Sequence, residues 1–402
     1  MAEIKKRKIV FVSHYYWPPH FGGGLRLVTE RLESLSQRGV EVVALTSGVE
    51  GFLSSELRNG IKIKRSPTVG FGRIARRINR LIYWFWLYFM FLFEKNVDVL
   101  HVEVVLGVLG IINPYSYLRV LLWLAKLKKA RKVVDHSLTT TDEEAFATKS
   151  GSEAKAYQAM DMIVSVSPLL QEGVERVYPE SAVLSVCGIH NEIYTIPKIE
   201  DKKAFRLKNG VQDGEVVFAF MGSFEYRKGL DMIVEAFVKY GREHKWRLCL
   251  IGPYRKSESP YVRENEVEEL IAPLKPVEDL VTYWGKIDER ERLAEVLAAA
   301  DVFLFPTRRE GFGIAPLEAM AAGLPVIITR IPGVTDLGNV EGETGFYIEM
   351  NDQETLEKRM LELGADAELR HKMGLAGNAR INQEFGWEQY IDEWEQIYFG
   401  KQ

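Results

Sequence analysis

Residues 301–333, DVFLFPTRREGFGIAPLEAMAAGLPVIITRIPG, concentrate groups that can do chemistry. An apolar strand pattern ends at Pro306. The turn "GFG" then leads into a helical pattern with Pro316 near its first turn, where proline is tolerated. Gly323 and Pro325 stop that helix. Glu310 stands before the turn and Glu318 in the first helical turns. The main-chain N–H groups of Phe312, Gly313 and Ile314 fall at the open end. A carboxylate only accepts and a hydroxyl can donate, so a Glu beside free N–H groups can grip hydroxyls. Two carboxylates framing such a nest suit a polyol that carries a phosphate, with ribose on one side and a second sugar on the other. The plainer alternative is two glutamates serving the helix dipole. The combination of turn, proline and paired Glu argues against it.

Two further turns could hold an anion. In "FMGSFEYRKGLDMIVEAF", Gly222 and Ser223 make a turn, and Arg227 and Lys228 sit just before a helix. Cations there oppose the helix dipole, which makes sense if a multivalent anion binds; a solvated charged turn is the alternative. Near the N-terminus, Gly22, Gly23 and Gly24 precede an apolar-periodic helix (Leu25, Val28, Leu32, Leu35). A glycine loop opening a helix presents N–H groups to an anion, but a merely flexible loop fits as well. The G-x-G-x-x-G dinucleotide fingerprint is absent.

The elements that must position these residues are legible as short β-branched runs alternating with helical patterns. One series lies at 8–13, 41–46, 97–102, 132–136 and 162–166, a second at 216–221, 247–251, 280–285, 301–306 and 325–329. Continuous apolar strands between helices indicate parallel sheets buried on both faces. Two series in 402 residues predict two doubly wound α/β domains, with a linker in 187–203 and a last helix at 387–398. Ligands are then expected at the carboxyl ends of strands. A net charge of -4 argues against nucleic acid as a partner. Two cysteines, Cys187 and Cys249, make no disulfide framework. The apolar run at Ile9–Val12 is too short for a signal-peptide core, so a cytoplasmic location is expected.

The stretch Glu310–Glu318, E-G-F-G-I-A-P-L-E, resembles the E-x7-E motif of the family-4 retaining glycosyltransferases, which have the GT-B fold. The similarity extends to the glycines at 22–24, "VVDHS" at 133–137, "SVSPLLQEGV" and the "RKG" turn at 227–229. It implies two Rossmann-like domains facing across a cleft: 1–194 on the acceptor side, 195–384 on the donor side, and 385–402 as a helix returning to the first domain. It implies a nucleotide-sugar donor and retention of anomeric configuration. It assigns Glu318 to the donor ribose. Glu310, with the Phe312–Ile314 main chain and Leu317 alongside, goes to the transferred sugar. Lys228 and Arg227 go to the diphosphate near Gly222 and Ser223, with Gly23 and Gly24 opposite, and Lys286 and Ile287 to the base. His136 matches a family histidine near the reacting sugar, and it ends a strand on the cleft side. Two departures stand out. Ser223 replaces a common Arg, and "CGIH" replaces Asn-Gly-Val-Asp, putting His190 in the acidic place.

No Asp-x-Asp motif stands at a strand end, so neither a metal nor another cofactor is expected. Protein cations and helix N-termini must then stabilise the departing diphosphate. Nucleotide-sugar epimerases share this architecture, and a non-catalytic donor-binding membrane scaffold is a further alternative. Glycogen phosphorylases also share it, but they are far longer and carry a pyridoxal lysine. The presence of Glu310, Glu318 and Lys228 favours the transferase.

The first domain also contains RINRLIYWFWLYFMFLFEKN, with no charged residue, Gly or Pro from Leu81 to Phe93. That run is shorter than the about 20 residues a bilayer needs. Arg73, Arg76, Arg77 and Arg80 precede it at the spacing of one helix face. A basic start followed by rings, Trp84 and Trp86 among them, suits a helix in the headgroup region of an anionic membrane, each Arg contributing about 1 kcal/mol. The protein would then be peripheral on the cytoplasmic face, with a lipid-linked saccharide as acceptor. The alternative is that this helix, and a similar stretch at 117–132, covers the first sheet. The aromatic loop 14–21 could stack on a sugar or serve packing.

Overall fold

The computed structural model describes residues 7–14, 23–49, 51–70, 73–103, 114–136, 151–259 and 262–400. The chain divides into two compact units, Met1–Val186 with Tyr390–Gln402, and Cys187–Gln389. Each is built on a sheet whose central strands are apolar runs buried along their length, because helices cover both faces.

In the first unit the strands are β1 (Lys8–Val12), β2 (Glu41–Thr46), β3 (Ser55–Arg58), β4 (Ile61–Arg65), β5 (Val99–Glu103), β6 (Arg131–His136), β7 (Met162–Ser165) and β8 (Ala182–Leu184). They lie in the order β3-β4-β2-β1-β5-β6-β7-β8. The strand series expected from sequence lacks the β3–β4 hairpin, which is antiparallel and turns at Asn59 and Gly60. Both residues have positive φ (45° and 83°), as a tight turn between twisted strands requires.

Side chains alternate across a strand, so the two faces of this sheet differ. Val10, Val12, Leu100, Val102 and Val134 share one face. Helix Arg73–Phe93 lays Tyr83, Leu87 and Phe91 on it, and helix Pro114–Leu127 adds Leu118, Leu121, Leu122 and Ala125. The other face carries Phe11, paired in register with His101, and Asp135, paired in register with Glu103. Over it lie helix Gly23–Gln37 and the last helix, Trp387–Phe399. Arg31 is buried among them. Its guanidinium donates to Asp135 Oδ2 (2.7 Å) and Tyr390 Oη (3.2 Å) and lies 3.3 Å from the Trp394 ring centre. Tyr398 Oη is 2.7 Å from His101 Nδ1. Burial alone would raise the Asp135 carboxyl, but Arg31 and His101 hold it down to about 2.

The second unit has six parallel strands, β9 (Val216–Met221), β10 (Trp246–Ile251), β11 (Val281–Gly285), β12 (Val302–Phe305), β13 (Val326–Thr329) and β14 (Gly345–Ile348). Their order is β11-β10-β9-β12-β13-β14. His190, the unexplained departure in sequence, stacks on Trp387 at 3.8 Å and meets Glu192 through Nδ1 (2.9 Å). Beside it Ile189 bridges to Gly386. An aromatic ring at 190 thus fastens the start of this unit to the foot of the last helix.

In both sheets the strand order reverses at one place, between β1 and β5 in the first and between β9 and β12 in the second. Crevices at such switch points, outside the carboxyl ends, are where doubly wound folds bind ligands.

Candidate functional site

The second switch point gathers the residues singled out first. After β9, Gly222 donates its N–H to Ile251 O (2.9 Å), and a short 3-10 turn, Tyr226–Lys228, follows. Gly229 closes that turn at φ 71°, and a Cβ there would lie 1.9 Å from Pro306 O. Only glycine lets the β9 loop come this close to the end of β12. The approach is fixed by main-chain and side-chain bonds. Arg308 N donates to Arg227 O (2.8 Å), and the Arg308 guanidinium binds both oxygens of Asp231 (2.7 Å each).

Lys228 Nζ is thereby placed on Glu310 Oε1, in an ion pair with a buried carboxylate. Thr307 Oγ1 lies 3.2 Å from the same oxygen. Arg227 lies alongside, 3.8 Å from Glu310 Oε1, and donates to Arg309 O (3.0 Å) and Glu225 Oε2 (3.2 Å). The Lys228 stem runs beside Gly222, where a Cβ would meet its Cδ at 3.7 Å, an ordinary packing distance. Ser223 accepts Glu225 N on its carbonyl (2.9 Å).

Helix Ile314–Ala321 starts from Gly313 at φ 91°, and no side chain caps its first turn. The N–H groups of that turn therefore keep their capacity to meet a ligand. Phe312 and Leu317 are buried and line a small cavity behind the turn with Met320 and Val334. Glu318 is the fifth of this helix's eight residues, in its second turn. Its Oε1 accepts from Arg290 (2.6 Å) and Tyr194 Oη (2.9 Å). The two glutamates are thus held alike. Each is buried, and each has Oε1 bonded to a cation and within reach of a hydroxyl, with Arg227 as a second, more distant cation at Glu310. Neither Oε2 takes a hydrogen bond from another described residue, so both can accept from a ligand hydroxyl.

Arg290 and Tyr194 carry no signal in the sequence that would place them here. Arg290 opens helix Arg290–Ala298, after the turn that holds Lys286 and Ile287, and Tyr194 lies in the irregular segment before helix Ile199–Lys208. No local spacing ties them to Glu318. Lys286 itself pairs with Asp288 (2.7 Å).

In the first unit, Gly23 and Gly24 begin helix Gly23–Gln37, and His136 is the last residue of β6. The side chains of His136, Arg73 and Arg76 lie outside the described residues, as do Gly22 and the loop 15–21. The carboxyl ends at this switch point show a pair that sequence did not flag. Ser13 Oγ donates to Glu103 Oε2 (2.6 Å). Burial, reinforced by Asp135 on the next strand, pushes the Glu103 carboxyl up to about 7. Next to it, burial and the charge of Arg80 hold the His14 imidazole down to about 4. Arg80 therefore acts on the end of β1, whereas Arg77 is exposed. Trp84 and Trp86 are half-buried against the core, Trp84 stacking on Tyr117 at 5.5 Å.

Residues 201–380 match the family model described as Glycosyl transferases group 1. N-acetyl-alpha-D-glucosaminyl L-malate synthase of Bacillus anthracis is 26% identical over 95% of this chain and 94% of its own. A GDP-mannose-dependent monoacylated alpha-(1-6)-phosphatidylinositol monomannoside mannosyltransferase of Corynebacterium glutamicum is 31% identical over 50% of this chain and 51% of its own. Anabaena HepE, solved in complex with UDP-glucose, has the same fold, with a TM-score of 0.74 at 15% identity over 97% of this chain and 98% of its own. The two-domain α/β architecture is the GT-B fold, and Lys228, Glu310 and Glu318 all lie in the stretch 201–380 that matches the group 1 glycosyltransferase model.

Proposed function

We propose that the protein transfers a sugar from a nucleotide-diphosphate donor to an acceptor with retention of anomeric configuration. The observation that carries this reading is the matched anchoring of Glu310 and Glu318 on either side of an uncapped helix N-terminus, with Lys228 and Arg227 adjoining. Glu310 Oε2 would take a hydroxyl of the transferred sugar and Glu318 Oε2 a ribose hydroxyl. One Lys228 N–H is engaged by Glu310, which leaves two for the diphosphate. The nucleotide sugars named for the Corynebacterium and Anabaena proteins support a donor of this class.

The bond from the anomeric carbon to the diphosphate oxygen breaks, and its electron pair leaves with the diphosphate. Lys228, Arg227 and the first-turn N–H groups stabilise that charge as it grows. The acceptor oxygen attacks on the same face, and its proton passes to the departing phosphate oxygen. The scheme needs no enzyme nucleophile, bound cofactor or metal. The acceptor is a lipid-linked saccharide, met at an anionic membrane surface on the cytoplasmic side. The phosphatidylinositol mannoside in the Corynebacterium relative's name supports an acceptor of this kind.

The test is a screen of nucleotide sugars with and without lipid-linked saccharides. Product mass identifies the transfer, and proton NMR of the new linkage gives its configuration. Nucleoside diphosphate released only when an acceptor is present is expected. Epimerised donor without transfer, or an inverted linkage, would overturn the reading.

A further inference from the structure

From Leu81 onward, helix Arg73–Phe93 is apolar on both sides. Tyr83, Leu87 and Phe91 are buried, yet Phe85, Phe89 and Phe93 on the outward side are 68%, 60% and 63% exposed. A helix apolar all round is normally buried all round. Helix Pro114–Leu127 repeats the feature, with Val120, Trp123 and Leu127 exposed over a buried Leu121 and Leu122. The helices lie side by side on the same sheet face, joined where Tyr88 Oη donates to Tyr117 O (2.8 Å). Lys128 Nζ adds bonds to the carbonyls of Leu92 (2.9 Å) and Glu94 (2.8 Å). Their outward residues therefore form one continuous apolar layer.

The charge on these two helices has one sign. Neither helix contains an acidic residue, although the chain has net charge -4. Lys128 is engaged in joining the helices, but Arg77, Arg119, Lys126 and Lys129 make no ion pair with another described residue. Among the described residues no helix is long and apolar enough to cross a membrane. We infer that these two helices form a docking platform for an anionic bilayer. Phe85, Phe89, Phe93 and Trp123 enter the acyl boundary, and the four cations meet the headgroups. Trp84 and Trp86 instead pack within the platform. A second copy of the chain fits poorly, because two such faces would bring like charges together. The inference deepens the lipid-acceptor reading but stands on the surface alone.

The full chain is co-sedimented with phosphatidylcholine vesicles with and without phosphatidylglycerol. Binding is expected only with the anionic lipid. The triple change Phe85→Ser, Phe89→Ser, Phe93→Ser should weaken it about 10²–10³-fold, with far-UV circular dichroism and Tm unchanged, since these side chains are exposed. Arg77→Glu with Arg119→Glu and Lys126→Glu should weaken it about 10²-fold. Brominated acyl chains should quench a fluorescence component that Trp123→Phe removes. Absence of binding to anionic vesicles, or equal binding by wild type and both triple variants, overturns the inference. So does a solution dimer that the phenylalanine changes dissociate, since the face would then belong to a second copy. Sugar transfer to a soluble acceptor without vesicle binding defeats the platform and spares the catalytic reading. Vesicle binding with no transfer does the reverse.

Discussion

The two switch points are built from the same topology and filled with opposite chemistry. At β9 and β12 the carboxylates of Glu310 and Glu318 are anchored by Lys228 and Arg290. Charge is fixed in place there, and each acid keeps one oxygen open. At β1 and β5 the acid Glu103 has, among the described residues, only the Ser13 hydroxyl, and its proton is retained toward neutral pH. Arg31, whose charge also acts on Glu103, is engaged by Asp135 one strand away. One crevice thus carries fixed, paired charge. The other keeps its charge below the surface and presents a group that can donate a proton as well as accept one.

The difference can be broken most forcefully at the buried pair. Asp135→Ala should cost about 3–5 kcal/mol, because Arg31 would remain buried without its counter-ion. Urea unfolding measures this, and a loss below about 1 kcal/mol would mean that Trp394 and Tyr390 suffice for the guanidinium. Next in size is Lys228→Ala, which should lower kcat by about 10²–10³ while leaving the fold intact. Unchanged turnover at saturating donor would remove Lys228 from its assigned role.

Glu103 sharpens the comparison through pH. A glutamate in the unfolded chain titrates near its ordinary 4.5, and in the folded protein Glu103 is pushed up to about 7, so the folded chain holds the proton more tightly. That contribution is full below pH about 4.5 and is lost as pH rises through about 7, in total about 3 kcal/mol. Glu103→Gln should flatten this part of the stability curve. Parallel wild-type and variant curves between those values would show that Glu103 ionises freely. The smallest effect belongs to Tyr194→Phe. It removes one of two bonds to Glu318, and should raise the donor KM only a few-fold, in line with about 1 kcal/mol for a hydrogen bond.

What was legible in the sequence follows from how local each signal is. The central strands could be read because burial on both faces writes itself as consecutive apolar residues. Glu310 and Glu318 could be read because one turn and one helix contain both. Arg290 and Tyr194 could not, since their link to Glu318 exists only in three dimensions. Arg31 lies on the apolar side of its helix, where a charge is ordinarily read as solvent-facing. Ser13 and Glu103 are lone polar residues at strand ends with no spacing to relate them. In the aromatic run the obstacle was different: with rings at nearly every position, no periodicity distinguished Phe85 and Phe89 from Tyr83 and Leu87.

The roof over Arg31 has a consequence for the timing of synthesis. Asp135 leaves the ribosome long before Tyr390 and Trp394, and the 254 residues between Asp135 and Tyr390 take roughly 10–50 s to make at typical elongation rates. The second unit, contiguous in sequence, is synthesised whole within that interval. The unit translated first is therefore completed last, and until then the guanidinium at its centre has its counter-ion but no aromatic cover.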